Sequence, residues 1–136
     1  EKQRYKLAIS LNAAEDISRN KIMPINKKWP IADIIEAGRE YSKIKNRQVM
    51  FEYVLLKGIN DSEDDAYRLS QLLKGIPCKI NLIPYNEGKS IYERPSNHSI
   101  SKFSEILYNN RDIYRVLVRW SKGQDINAGC GQLAAQ

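Results

Sequence analysis

The sequence predicts an α/β fold in which parallel strands alternate with helices, and three observations carry that expectation. Four short segments rich in β-branched, aromatic and aliphatic residues recur along the chain: YKLAISL (5–11), VMFEYVLL (49–56), KINLIPY (79–85) and YRVLVRW (114–120). Between them, apolar residues return at helical spacing. Helix start and stop signals sit at the joints.

The elements follow in order. After the first strand, Ile31, Ile34, Ile35 and Tyr41 mark one face of a helix. After the second, Ala66, Leu69, Leu72 and Leu73 mark another, with Asp61 or Ser62 placed to cap its start, Gly75 past its last turn and Pro77 blocking its continuation. After the third, Ile100, Phe103, Ile106 and Leu107 mark the last helix, with Ser96 or Asn97 as its cap. An order β-α-β-α-β-α-β calls for right-handed crossovers, giving either a doubly wound sheet or a piece of a (β/α) barrel. Four strands do not close a barrel. The chain also reaches strand residues by position 5 without an initiator methionine, so a part of a larger domain is expected. Such a cut would leave an unpaired edge at YKLAISL, which invites an artificial dimer.

Composition narrows the function classes. A chain of 136 residues with 42% apolar and 28% charged residues has the make-up of a soluble globular domain. No apolar run is long enough to span a bilayer and the first residues lack a leader pattern, so a cytoplasmic protein is expected. Two cysteines, Cys78 and Cys130, and a single His98 give neither a disulfide scaffold nor a metal site of the usual soft ligands. The acidic run Asp61, Glu63, Asp64 and Asp65 stands where a helix begins, and capping and the helix dipole account for it. No GxGxxG or GxxxxGK[ST] follows any strand, which removes the phosphate cradle of common nucleotide-binding domains.

The net charge of +6 favours a polyanionic partner such as RNA. Cations gather with an aromatic in RNKIMPINKKWP (19–30), which holds Arg19, Lys21, Lys27, Lys28 and Trp29, and again at Arg115, Arg119, Trp120 and Lys122. Basic side chains beside aromatic rings suit phosphate contact with base stacking. Parallel α/β folds collect their functional groups where strands end, and this sequence puts Ser10, Asn12, Asn86 and the tail DINAGCGQL (125–133) there. Cys78 reads as a small buried hydrophobe, whereas Cys130 lies between Gly129 and Gly131, which leave its sulfur sterically open.

Six stretches together resemble one family. LAISLNAA (7–14), IMPINKKWP (22–30), FEYVLLKGINDS (51–62), CKINLIPYN (78–86), YERPS (92–96) and GQDINAGCGQL (123–133) are similar to the C-terminal half of the radical S-adenosylmethionine enzymes that methylate C2 of adenosine in 23S ribosomal RNA and transfer RNA. The resemblance covers nearly the whole chain and implies the C-terminal part of a partial (β/α)6 radical-SAM barrel, followed by a cysteine-bearing tail at 123–136. It implies S-adenosylmethionine as cofactor, with Ser10, Leu11, Asn12 and Asn86 as binding residues. It implies a [4Fe–4S] cluster held by a CxxxCxxC loop in the upstream half, so that the chain alone is expected to be inactive. Cys130 matches the methyl-carrying cysteine, whose thiolate takes a methyl group from one S-adenosylmethionine. A second S-adenosylmethionine then yields the radical that carries that carbon to the base.

Three departures from the family pattern stand out. Asn12 replaces a histidine, offering a donor and an acceptor but no titratable proton. Asn127 replaces an aspartate, which removes a carboxylate near the sulfur and favours the thiolate, and Gly129 replaces an alanine. The competing reading is a noncatalytic RNA-binding α/β module that uses the basic loop and leaves Cys130 inert.

Overall fold

The computed structural model describes residues 5–14, 19–20, 22, 30–44, 47–86 and 91–120. Strand β1 (Tyr5–Ser10) leads through helix α1 (Ile31–Ser42) to β2 (Arg47–Leu55), then through α2 (Glu63–Leu72) to β3 (Cys78–Pro84) and through α3 (Asn97–Leu107) to β4 (Ile113–Val118). All three strand pairs are parallel, and the sheet order is β1-β2-β3-β4. Each strand lies beside its predecessor with no reversal, so the right-handed crossovers put the helices on one face. A doubly wound sheet needs a reversal, and the described strands instead form a barrel segment whose edges are β1 and β4.

The helices form where local chemistry asks for them. Ser62 caps α2 through a reciprocal box: its hydroxyl accepts from the Asp65 N–H at 3.0 Å, and the Asp65 carboxylate accepts from the Ser62 N–H at 3.2 Å. Asp61 serves the preceding turn instead, accepting from the Gly58 N–H at 2.9 Å. Thus two members of the acidic run are used by backbone, and no group of three or more metal-ligating side chains occurs among the described residues. Ser96 caps α3. Gly75 ends the α2 turn at φ +83°, a conformation glycine takes without strain, and its N–H donates to Asp112 at 2.7 Å.

The core lies between the helices and one face of the sheet. Val49, Phe51, Tyr53 and Leu55 of β2 and Cys78, Ile80 and Leu82 of β3 meet Ile35, Ala66, Leu69, Ile100 and Phe103. The Tyr53 and Phe103 rings pack with centroids 5.2 Å apart. Period-two alternation sends the intervening residues of each strand to the other face, away from helices α1 to α3. A second apolar cluster of Ile22, Val54, Leu56, Tyr85 and Tyr92 closes the carboxyl end of that face. None of the described helices is long and apolar enough to cross a membrane.

Cys78 is fully buried at the start of β3, and burial, aided by the nearby negative charge of Asp112, pushes its thiol up to about 12 from an ordinary 9.0. The folded state therefore favours the neutral thiol. Its contribution to stability is complete below pH 9 and is lost as pH rises towards 12, by up to about 1.4 kcal/mol per pH unit. The difference in unfolding free energy between wild type and Cys78→Ala, measured by urea titration, is expected to be constant below pH 9 and to shrink above it. A pH-independent difference would show that the thiol ionises equally in both states.

Candidate functional site at the carboxyl edge

The chain leaves β1 through a saturated piece of backbone. Leu11 makes the last regular rung, its N–H donating to the Glu52 carbonyl at 2.9 Å. Asn12 then turns into the left-handed region at φ +58°, which asparagine tolerates better than most residues. Its backbone thereby swings away from β2, and its side chain takes the vacated place: Oδ1 accepts from the Val54 N–H at 2.8 Å. The carboxamide thus continues the ladder that the backbone has left.

Asn60, fully buried in the β2–α2 turn, completes the arrangement. Its Nδ2 donates to the carbonyls of Asn12 at 2.9 Å and Val54 at 2.7 Å, and its Oδ1 accepts from the Leu56 N–H at 2.7 Å. The Tyr53 hydroxyl donates to the Asn60 carbonyl at 2.7 Å. Arg19 takes the other two carbonyls, with Nε on Leu11 at 2.8 Å and Nη2 on Ser10 at 3.1 Å. Arg19 is only 2% exposed. Charge alone groups it with the RNA-facing cations, whereas in the fold it is spent on fixing the edge.

The four sequence-chosen binding residues are therefore placed differently from one another. Ser10 is half-buried on the face opposite α1 to α3, and no hydrogen bond of its hydroxyl is present among the described residues. The Leu11 side chain is wholly in the core, so its contribution is to hold its neighbours. Asn12 is 4% exposed with Oδ1 committed to β2. Asn86 lies half-buried just beyond β3, after Tyr85, whose N–H donates to the Leu55 carbonyl at 3.0 Å. Ser10, Asn12 and Asn86 thus share one edge of the sheet. Cys130 and the tail 123–136 lie outside the described residues, as do Lys21, Lys27, Lys28, Trp29 and Lys122. Arg119 and Trp120 follow β4 on the same edge, both exposed.

Two residues of the face opposite α1 to α3 were not singled out from sequence. Register places Ser10 beside Glu52 and Glu52 beside Asn81, all on that face. The signal was there to be read: a glutamate and an asparagine interrupt the otherwise apolar runs VMFEYVLL and KINLIPY. A cleft of about 550 Å³ between α2 and α3, lined by Tyr67, Lys74, Arg111 and Asp112 among others, opens at the opposite end of the strands and is separate from this edge.

Known proteins share both the sequence and the fold. The dual-specificity RNA methyltransferase RlmN of Desulfosudis oleivorans is 48% identical over 130 residues, 95% of this chain and 34% of that protein. The chain matches the C-terminal part of the RlmN family. It spans about a third of the length of the curated relatives it matches. A radical SAM methyltransferase from Sphaerobacter thermophilus superposes with a TM-score of 0.84 at 44% identity, over all of this chain and 40% of that one. A domain of the pyruvate-formate lyase-activating enzyme from Bacteroides vulgatus, with a TM-score of 0.67 and 18% identity over 85% of this chain and 67% of that one, shares the fold. No family model matches the chain. The expected fold class, an α/β piece of a radical-SAM barrel, holds.

Similarity to a radical SAM methyltransferase implies, at the level of the family, S-adenosylmethionine and an iron–sulfur cluster. The residues present suit the first: an edge with a half-buried serine, and a buried carboxamide whose Oδ1 has no hydrogen-bond partner, on Asn81. They do not suit the second, since two cysteines cannot supply three thiolate ligands.

The edge makes a stability prediction. Asn60→Ala removes three side-chain bonds and leaves the buried Leu56 N–H without its acceptor, which is expected to cost about 3 kcal/mol or more by urea denaturation. Asn12→Ala loses the Val54 bond and strains the turn, whereas Asn12→His keeps an acceptor at the same distance from the backbone and is expected to stay within about 1 kcal/mol of wild type. Equal losses in the two Asn12 variants would show that the acceptor is not what the position requires.

Proposed function

We propose that the chain forms the cofactor-binding carboxyl edge and supplies the methyl-carrying sulfur of an RNA methyltransferase acting on C2 of adenosine in 23S rRNA, tRNA or both. The observation that carries this reading is the 44% identity and TM-score of 0.84 to a radical SAM methyltransferase over the whole chain, with Ser10, Asn12 and Asn86 on one edge. Bound S-adenosylmethionine supplies an electrophilic methyl group at its sulfonium. Cys130 is the nucleophile: its thiolate forms the S–C bond as the sulfonium–carbon bond breaks, leaving S-methylcysteine on the chain and releasing S-adenosylhomocysteine. C2 of adenine is an electrophilic carbon without an acidic proton, so a thioether carbon cannot reach it by simple displacement. The radical chemistry that overcomes this belongs to the cluster-bearing upstream half, and the isolated 136-residue chain is accordingly inactive.

Ser10 contacts the cofactor with its hydroxyl, while Leu11 and Asn12 hold that hydroxyl in place through the saturated backbone. Arg119 and Trp120, exposed at the end of β4, offer the RNA a phosphate contact and a stacking surface. The noncatalytic RNA-binding reading relied on the basic loop, and the burial of Arg19 weakens it.

In the full-length enzyme, Cys130→Ala is expected to abolish RNA methylation while leaving RNA affinity within about twofold, read by methyl incorporation and filter binding. Methylation at the wild-type rate would refute the role of the sulfur.

A further inference from the structure

We propose that Asn81 and Glu52 bind the ribose of the adenosyl cofactor, accepting hydrogen bonds from its vicinal 2′- and 3′-hydroxyls. The inference rests on the cofactor reading above and names two residues that reading does not use. Asn81 is 7% exposed in the middle of β3, on the sheet face opposite the one that α1 to α3 cover. Its Nδ2 donates to the Met50 thioether at 3.4 Å, a weak acceptor, and its Oδ1 has no partner. The sulfur lone pairs hold the carboxamide in that sense, because reversing it would set Oδ1 against them. Leaving a buried carbonyl oxygen unpaired costs about 1–3 kcal/mol, so its persistence in a strand centre calls for a ligand that donates to it.

The neighbours state what kind of donor. Glu52 pairs with Asn81 in register, about 4.8 Å away between strands, and its half-buried carboxylate has no hydrogen bond or ion pair among the described residues. Ser10 pairs with Glu52 on the other side. Three oxygen-bearing side chains thus form a row about 10 Å long across the sheet. One step towards the amino end, Lys79 and Arg115 pair on the same face, about 7 Å along each strand. Two cations that near disfavour an ammonium donor and leave neutral hydroxyls as the matching group. Each hydroxyl has one proton to give, so the Asn81 carboxamide oxygen accepts from the 2′-hydroxyl and the Glu52 carboxylate from the 3′-hydroxyl. Vicinal hydroxyls also separate the two riboses available: an internal RNA nucleotide has its 3′-oxygen esterified and keeps one hydroxyl, whereas the adenosyl cofactor keeps both.

The test is isothermal titration of the full-length enzyme with S-adenosylhomocysteine and its 2′-deoxy analogue. Wild type is expected to bind the deoxy analogue at least 10-fold more weakly. Asn81→Leu is expected to weaken S-adenosylhomocysteine at least 10-fold, to narrow the preference over the deoxy analogue to about threefold or less, and to leave RNA affinity unchanged. Its unliganded Tm is expected to stay level or rise, since the variant removes an unpaired buried oxygen. Asn81→Asp, which keeps the acceptor, is expected to retain the preference. Wild-type affinity and preference in Asn81→Leu would overturn the proposal, as would a binding loss accompanied by a fallen Tm, which would mark Asn81 as structural. If Ser10→Ala weakens S-adenosylhomocysteine while Asn81→Leu does not, only the present inference fails; if wild type binds no S-adenosylhomocysteine, the cofactor reading itself fails.

Discussion

The carboxyl edge depends on one substitution of side chain for backbone: the Asn12 carboxamide takes the place of the carbonyl that β1 would have offered to Val54. A parallel strand that stops pairing leaves its neighbour with a buried N–H, and such a group costs about as much as the hydrogen bond it lacks. Asn12 ends the strand and fills the vacancy in one residue, because its left-handed backbone turns the chain while its Oδ1 stays behind. Asn60 then binds both sides of the joint, and Arg19 closes the remaining carbonyls. With the backbone so fully satisfied, the Ser10 hydroxyl is held between fixed neighbours. Preorganisation of this sort is what a binding edge needs, since side chains ordered beforehand lose less freedom when a ligand arrives.

The single direction of winding has a second consequence. Because all three crossovers put their helices on one side, the sheet has one face packed as a core and another left for something else. On the packed face the strands read Val49, Phe51, Tyr53, Leu55 and Ile80, Leu82. On the open face they read Met50, Glu52, Val54 and Lys79, Asn81, Ile83. The same strands therefore specify an apolar core on one face and a mixed polar and apolar surface on the other by period-two alternation. The apolar cluster around Val54, Leu56, Tyr85 and Tyr92 stands at the carboxyl end of that surface and shields the polar row from that side.

Much of this was legible in the sequence, and the reasons are physical. Strands and helices announced themselves through apolar period, and Ser62, Gly75 and Ser96 punctuated them where capping chemistry demands. The choice between a doubly wound sheet and a barrel segment was not legible from residues alone, because both use the same βαβ unit and differ only in strand order. Arg19 misled because charge is visible in a sequence while the carbonyls that will bury a guanidinium are not. Asn60 is illegible for a related reason, and Asn81 shows in the sequence only as a polar break in an apolar strand. A buried carboxamide is recognised by the partners it has, or lacks, in three dimensions.

The asparagine that stands where the resembled family has histidine bears on how that position works. Asn Oδ1 and a histidine Nδ1 sit equally far from the backbone, so either can accept from the Val54 N–H. A histidine carrying a proton on Nδ1, whether as the neutral Nδ1–H tautomer or as the imidazolium, could not, since that nitrogen would then be a donor. Charging that ring would open the joint between β1 and β2 and leave a buried N–H unpaired. The geometry thus sets proton transfer through Nδ1 against the integrity of the edge. Asparagine removes the conflict by accepting at every pH, and its presence here follows from a position whose duty is to accept a hydrogen bond.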